Sequence, residues 1–443
     1  MDNIWRQKLH LEPPVGWMND PNGLSWFCNK YQVFFQYAPD DINGGVKKCW
    51  GHYESPDMIH WNFTGTVLVP DIPEDKSGVY SGSALEYNGD LNIFYTGNVK
   101  HKGDYDYIYN GREANVIRVT TKDGHNMTPK QVLMRNEDYP SFCSCHVRDP
   151  KVWHKDGKFY MILGARTLES SGCVLIYESD DLEKWRYCNC FTVPDFGYMW
   201  ECPDVIYIDG RTYISVSPQG LPHGEMEHQN MFSSGYFRYE DELTNFTEWD
   251  YGFDFYAPQT FDAPDGRKIL IAWMGMGDAY ENPTVEFGYQ QCLTIPRVLT
   301  LSDDGYILQQ PVKELEKLRD GRRIIASGAE EMAMLPFDMY ARTPENFSLK
   351  IDTLNLKHEN GIFSIEFDEG SGYGREIRRV RTEECRDIRI IVDTSSIEIY
   401  LDRGRYVMST RFYPSDQKVK IKCDGTDAEL YNLKGMEMKI SGK

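Results

Sequence analysis

The sequence predicts an all-β protein, a five-bladed β-propeller followed by a C-terminal β-sandwich. Three observations predict it. A short apolar strand introduced by a tight turn recurs five times over the N-terminal two-thirds of the chain. No helical periodicity competes with that series. After a short break, strands resume at close spacing to the end of the chain.

The recurring strands are Tyr31–Tyr37, Leu91–Tyr95, Phe159–Leu163, Tyr213–Val216 and Ile269–Met274, and their starts are nearly evenly spaced. Each follows a turn signal: Asn29-Lys30, Gly89-Asp90, Asp156-Gly157, Asp209-Gly210 and Asp265-Gly266. Before each turn stands another strand, Leu24–Cys28, Ser83–Tyr87, Lys151–His154, Asp204–Ile208 and Pro258–Phe261, so the repeated unit is a hairpin. A second signature, Ser55-x-Asp57-x-x-x-Trp61, returns as Ser179-x-Asp181-x-x-x-Trp185, about two periods further on. A period of about 60 residues suits a four-stranded blade with its loops, and five such blades close around an axial channel. Val312–Leu318, after Pro311, reads as a short helix or linker. Beyond it the candidates are Phe347–Ile351, Gly361–Phe367, Ile388–Val392, Ser396–Leu401, Tyr406–Phe412 and Val419–Ile421, a second all-β unit. The expected division is a propeller at 1–310, a linker at 311–330 and a sandwich at 331–443.

Composition narrows the function. The chain has 443 residues, 48 Lys and Arg against 68 Asp and Glu, and a net charge of −20. That balance argues against binding nucleic acid or an anionic membrane, which reward positive charge. It is compatible with a neutral small molecule. No apolar stretch approaches the length of a membrane span. The first residues, Met1–Gln7, lack the basic and apolar regions of a secretory signal, and the eleven cysteines form no disulfide framework. The expected compartment is the cytoplasm, with reduced thiols.

The positions of the acids point to chemistry. Asp20, Ser81, Asp149, Glu201 and Asp254 each stand a similar distance before the apolar strand of their own repeat, with Asp254 the farthest from its strand. Equivalent places in successive blades lie at one end of the channel, so Asp20, Asp149 and Glu201 are expected to converge. Crowded carboxylates take unequal pKa values, the arrangement that acid–base catalysis needs. An isolated Asp-Pro is most often only a turn; three acids in register shift the balance to function.

The motifs Trp17–Gly23, Gln36, Trp50-Gly51-His52, Tyr80-Ser81-Gly82, Arg148-Asp149-Pro150, Glu201-Cys202-Pro203, Asp254–Pro258 and Ala272-Trp273-Met274 occur in an order and spacing that resemble glycoside hydrolase family 32, the β-fructofuranosidases. Ser396–Leu401 and Met408–Pro414 resemble the family's sandwich, so the likeness covers nearly the whole chain. Met18 and Tyr80 depart from it, where Leu and Phe are common in close relatives. The resemblance implies a retaining mechanism, with Asp20 as nucleophile, Glu201 as acid and base, and Asp149 as transition-state stabiliser. It implies a substrate-binding set of Asn19, Gln36, Trp50, Tyr80, Ser81, Arg148, Asp254 and Trp273. By composition alone Trp50 and Trp273 are equally suited to core packing, and Arg148 either holds Asp149 ionised or points away. The implied substrate is sucrose or sucrose-6-phosphate. The alternatives are an exo-acting fructan hydrolase, an inverting relative of the five-bladed arabinosidases, and an inactive sugar-binding propeller.

No cofactor motif is present, and no metal is expected. Cys143-x-Cys145 and Cys188-x-Cys190 have the wrong spacing for zinc and no completing His pair. Gly370-Ser-Gly-Tyr-Gly374 follows no βα pattern and reads as a loop. Lys47, Lys48, Arg112 and His52 are either contacts to a substrate phosphate or part of a solvated basic surface.

Overall fold

A computed structural model describes residues 3–45, 47–277, 279–382 and 385–441. Among these, secondary structure is almost entirely strand, in five sheets of propeller type and two six-stranded sheets. The innermost propeller strands are Gly16–Phe27, Val79–Tyr87, Cys143–Lys155, Met199–Ile208 and Tyr256–Asp262, and each packs on its neighbour around a closed ring.

The hairpins follow from turn chemistry. Asn88-Gly89, Asp156-Gly157 and Asp209-Gly210 have positive φ at both positions, the requirement of the type I′ turn that matches strand twist. In the first hairpin Cys28 and Asn29, with φ of 51° and 57°, take that role. The first two turns thus lie one position earlier than the sequence suggests. Ser55-x-Asp57 and Ser179-x-Asp181 close the turn between the third and fourth strands of their blades. Ser179 Oγ accepts from the amides of Asp181 and Leu182, and Asp181 Oδ1 from those of Glu183 and Lys184. Blade two makes the same turn with Thr121-x-Asp123, and Gly124 takes the left-handed position that Met58 and Leu182 hold elsewhere.

The innermost strands share a further irregularity. Each gains one extra residue over the next strand at one level: between Met18 and Pro21, Val79 and Gly82, Arg148 and Lys151, Glu201 and Asp204, and Tyr256 and Gln259. These are β-bulges, which bend the strand and re-aim its side chains. Three contain proline (Pro150, Pro203 and Pro258), which a ladder tolerates at a bulge. An inner strand has no partner on its channel side, so its backbone needs other acceptors. They come from earlier blades. Gly82 N donates to Asn22 Oδ1, Val152 N to Ser83 Oγ, Cys202 N to Asp149 Oδ2 and Thr260 N to Asp204 Oδ2, at 2.6–3.1 Å. Ring closure adds Tyr289–Gln290, paired in parallel with Gly16 and Trp17.

The linker segment forms a 3₁₀ helix, Lys313–Leu318. The two sandwich sheets differ in burial. In Phe347–Ile351 buried and half-buried residues alternate, as in a sheet with one wet face. Ser396–Leu401 and Tyr406–Arg411 are buried throughout. Ile397, Ile399 and Met408 pack into the sandwich, whereas Tyr400 and Val407 pack into a cluster with Leu293 and Ile295 of the propeller. Glu437–Ile440 lies apart from the expected 331–443 division and pairs in parallel with His60–Leu68 of blade one.

Buried charges cross this interface: Arg297, itself paired with Asp250 of the propeller, meets Glu398, and His10 meets Asp393 and Glu398. Burial and two carboxylates act oppositely on His10, and the carboxylates prevail, raising its pKa to about 9. Arg375 of the sandwich makes a two-pronged pair with Asp254 of the propeller, at 2.7 and 2.8 Å. Removing one partner of such a pair strands the other. Arg375→Met is expected to lower unfolding stability by about 3–5 kcal/mol, and Asp254→Asn/Arg375→Met to recover part of the loss; denaturant titration of the variants measures both.

Candidate active site

A cavity of about 340 Å³ opens where the bulged ends of the inner strands meet. Asp20, Asp149 and Glu201 all line it, with Asn19, Gln36, Tyr80, Ser81, Arg148 and Trp273. The three acids do not occupy the same place in the repeat. Pairing registers put Asp20 at the second bulge position of blade one, Asp149 at the first of blade three, and Glu201 just before the bulge of blade four. Three offsets around one bend aim three carboxyls at one space from different directions.

Asp20 is half-buried. It accepts from Ser81 Oγ at 2.5 Å and from Asn19 Nδ2 at 2.9 Å, and Gln36 Nε2 donates to the same Ser81 at 2.6 Å. Asn19 is itself held by Trp17 Nε1 and Lys48 Nζ, both 2.8 Å from its Oδ1. This relay leaves Asp20 a fixed acceptor facing the cavity.

Asp149 has a φ of 63°, the bulge conformation, and its amide donates to Thr96 Oγ1. Its carboxyl accepts from Cys202 N at 2.9 Å. Burial, aided by the charge of Glu201, raises its pKa to about 7 against the pull of Arg148.

Arg148 does not bond Asp149. Its Nε and Nη2 reach Glu201 Oε1 at 3.0 and 2.6 Å, and its Nη1 donates to His146 Nδ1 at 2.7 Å. Burial and the neighbouring Arg148 and Arg112 lower the His146 pKa to about 3, so the ring stays neutral and can accept. Glu201 Oε2 accepts from Gln219 Nε2 and Tyr256 Oη, each at 2.7 Å. Burial works to raise the Glu201 carboxyl, but Arg148 and these hydrogen bonds outweigh it and hold it below the usual range. Crowding by the neighbouring acids therefore does not by itself protonate Glu201 in the free enzyme. Burial thus favours the neutral form of Asp149, while Arg148 and its hydrogen bonds favour the charged form of Glu201.

Two expected sugar contacts are elsewhere. Trp50 is fully buried, packed against Phe34 and Tyr95, and its Nε1 donates to Tyr80 O at 3.1 Å; it supports the Tyr80-Ser81 bulge from behind. Asp254 is committed to Arg375 in the domain interface and does not line the cavity. On the inner strand of blade five the residue at the site is Tyr256, at the register position that Arg148 and Glu201 hold in theirs. It stands nearer to Ile269 than Asp254 does, and so closer to the spacing of the other blades. Gln219 gave no signal in sequence. Lys48 and Arg112 line the cavity; His52 is locked between Thr64 and Gln32 in the core, and Lys47 is exposed outside it. Cys202 is buried with its thiol 3.7 Å from Asp20 Oδ2 and 3.6 Å from Asp149 Oδ2. Burial and three carboxylates push that thiol upward, so it remains a donor and not a nucleophile. Among the described residues no cluster suits a metal ion.

Comparison with known proteins agrees with this geometry. Residues 10–311 match the glycosyl hydrolases family 32 N-terminal domain, and residues 347–437 match the family 32 C terminal domain. The chain belongs to glycoside hydrolase family 32. It is a glycoside hydrolase of the β-fructofuranosidase type. It is 36% identical to the sucrose-6-phosphate hydrolase of Bacillus subtilis, over 97% of this chain and 93% of that one. The sucrose-6-phosphate hydrolase of Escherichia coli is 34% identical, over 94% and 91%. Among solved structures, the Bombyx mori β-fructofuranosidase BmSUC1 superposes with a TM-score of 0.87 at 28% identity, covering all of this chain and 96% of that one. The sucrose-6-phosphate hydrolase of Lactobacillus gasseri gives 0.86 at 28%, covering 98% and 94%.

The protonation of the two acids sets a pH limit. The free enzyme is competent while the Asp149–Glu201 pair keeps one proton, so kcat/KM on sucrose is expected to fall as pH rises through about 7. Tyr256→Phe removes a hydrogen bond that favours ionised Glu201, so the alkaline limb is expected to move up. A pH series of initial rates on both proteins measures the limb.

Proposed function

We propose that this enzyme hydrolyses the β-D-fructofuranosyl bond of sucrose or sucrose-6-phosphate with retention, through a covalent fructosyl-enzyme. The observation that carries the reading is that Asp20 and Glu201 line one cavity of about 340 Å³. Direct attack needs carboxyls only ~5–5.5 Å apart. The names of the relatives support the substrate.

In the first step an Asp20 oxygen bonds to the anomeric carbon of the fructosyl unit, and the bond to the leaving oxygen breaks. That oxygen takes the proton of Glu201. In the second step Glu201 removes a proton from water, the water oxygen bonds to the same carbon, and fructose leaves with Asp20 restored as carboxylate. The fixed Asn19 and the Gln36–Ser81 relay hold Asp20 as the attacking acceptor, and Trp273 covers an apolar ring face.

The proton must reach Glu201 before the first step. Sugar hydroxyls that donate to Asp149 stabilise its carboxylate and lower its pKa. Because the two carboxyls repel each other when both are charged, that raises the proton affinity of Glu201. Substrate binding thus arms the acid. The same hydroxyl contacts tighten as the ring flattens toward an oxocarbenium ion, which is transition-state binding by Asp149.

We further propose action in the cytoplasm, supported by cysteines that are all free. No helix among the described residues is long and apolar enough to cross a membrane.

Asp20→Asn keeps the shape but removes the nucleophile. Fructose release from sucrose is expected to fall by roughly 10⁴-fold or more, while calorimetry still detects sucrose binding; release near the wild-type rate removes Asp20 from this role. A wild-type enzyme that prefers inulin over both sucrose forms by a wide margin overturns the substrate reading.

A further inference from the structure

Five arginines are buried among the described residues: Arg112, Arg148, Arg297, Arg375 and Arg411. Four have a carboxylate within 4 Å: Glu201, Glu398, Asp254 and Glu12 respectively serve Arg148, Arg297, Arg375 and Arg411. Arg112 has none among the described residues, although only 8% of it is exposed. A buried cation without a counter-ion is costly.

Its placement says which ligand. Arg112 begins the strand Arg112–Thr121 and lines the catalytic cavity. Its Nε donates to Asn98 Oδ1 at 3.0 Å, and its guanidinium carbon lies 5.6 Å from the centre of the Tyr80 ring. One edge of the fork is thus fixed, and neither Nη has a hydrogen-bond partner among the described residues. Lys100 is its direct cross-strand neighbour. Like charges directly opposed are unfavourable unless an anion joins them. Arg112 lines the same cavity as Asp20 and Glu201, and in sucrose-6-phosphate only the leaving sugar carries a phosphate for it to meet. With Lys48 and Arg148, it gives the cavity three cations to set against three carboxylates in a chain of net charge −20.

We infer that Arg112 is the receptor for a phosphate on the leaving sugar, and that it makes the enzyme prefer sucrose-6-phosphate to sucrose. The inference rests on the β-fructofuranosidase reading above. A guanidinium fork matches two phosphate oxygens at once, which a lysine ammonium does not.

The test compares kcat/KM for the two sugars in the wild type, Arg112→Gln and Arg112→Lys. The ratio of sucrose-6-phosphate to sucrose is expected to drop about 10- to 100-fold in Arg112→Gln, the loss of a charge-assisted contact, with Arg112→Lys between. Inhibition of sucrose hydrolysis by glucose 6-phosphate should weaken in the same order, and inhibition by glucose should not follow it. Equal loss on both sugars overturns the inference, as does an unchanged ratio. Inorganic phosphate inhibiting the wild type as tightly as glucose 6-phosphate also overturns it, since the site would then read a free anion. If wild-type enzyme releases fructose from neither sugar, the catalytic reading fails; calorimetry of glucose 6-phosphate against wild type and Arg112→Gln still decides the role of Arg112.

Discussion

The bulge in each innermost strand is the constraint on which the site depends. A strand lining a channel has backbone donors with no neighbouring strand to receive them. Bending each strand at one level turns its amides toward the previous blade, where Asn22, Ser83, Asp149 and Asp204 accept them. The same bend swings side chains into the axis. Stitching the blades together and collecting the acids are therefore one structural event. Asp149 takes part in both, since its Oδ2 accepts the Cys202 amide while its carboxyl borders the cavity.

Asp149 and Glu201 ionise differently because their surroundings differ. Asp20 is reached by Asn19 and Ser81 and stays half-open to the cavity. Asp149 is enclosed and has no bonded cation, so burial dominates. Glu201 is equally enclosed but carries Arg148, Tyr256 and Gln219, which favour its charge. In the free enzyme these surroundings favour a proton on Asp149 over one on Glu201, the reverse of what the first step needs. A site built on mutually repelling acids can correct this on binding, because a hydroxyl that satisfies one carboxylate changes the proton affinity of the other. Specificity for a fructosyl unit and readiness of the acid then have a common cause.

The sequence revealed the propeller because its hairpins carry the strongest local signal, β-branched and aromatic strands joined by Asn-Gly or Asp-Gly turns. It revealed the three acids because bulge motifs such as Arg148-Asp149-Pro150 are compact. It did not reveal the offsets between them, since all five inner strands carry the same one-residue bulge and the acids differ only in where they stand around it. In blade five the residue at that level is Tyr256, and the acid of the motif, Asp254, stands two positions earlier. Trp50 was ambiguous in principle, because the indole that supports a bulge and the indole that covers a sugar are the same residue type. In the sandwich, Leu354–Glu359 and Ile377–Arg381 were invisible. Each has one wet face rich in charge, and runs such as Ile-Arg-Arg-Val-Arg offer too few apolar residues for a period-two pattern to stand out.

The second domain bears on catalysis through that same pair of positions. Asp254 is gripped by Arg375 and by the backbone of Arg411, both from the sandwich. Two positions on, Tyr256 donates to Glu201 Oε2 and begins the fifth inner strand. Between them Phe255 is buried against Arg297, the residue that binds Glu398 of the sandwich. The strand end that positions Tyr256 is thus fixed from outside the propeller. At that level the bulge interrupts the ladder between this strand and its hairpin partner. Charge pairing across the interface supplies the rigidity that the interrupted ladder cannot, and it does so at the residue whose hydroxyl tunes the catalytic acid.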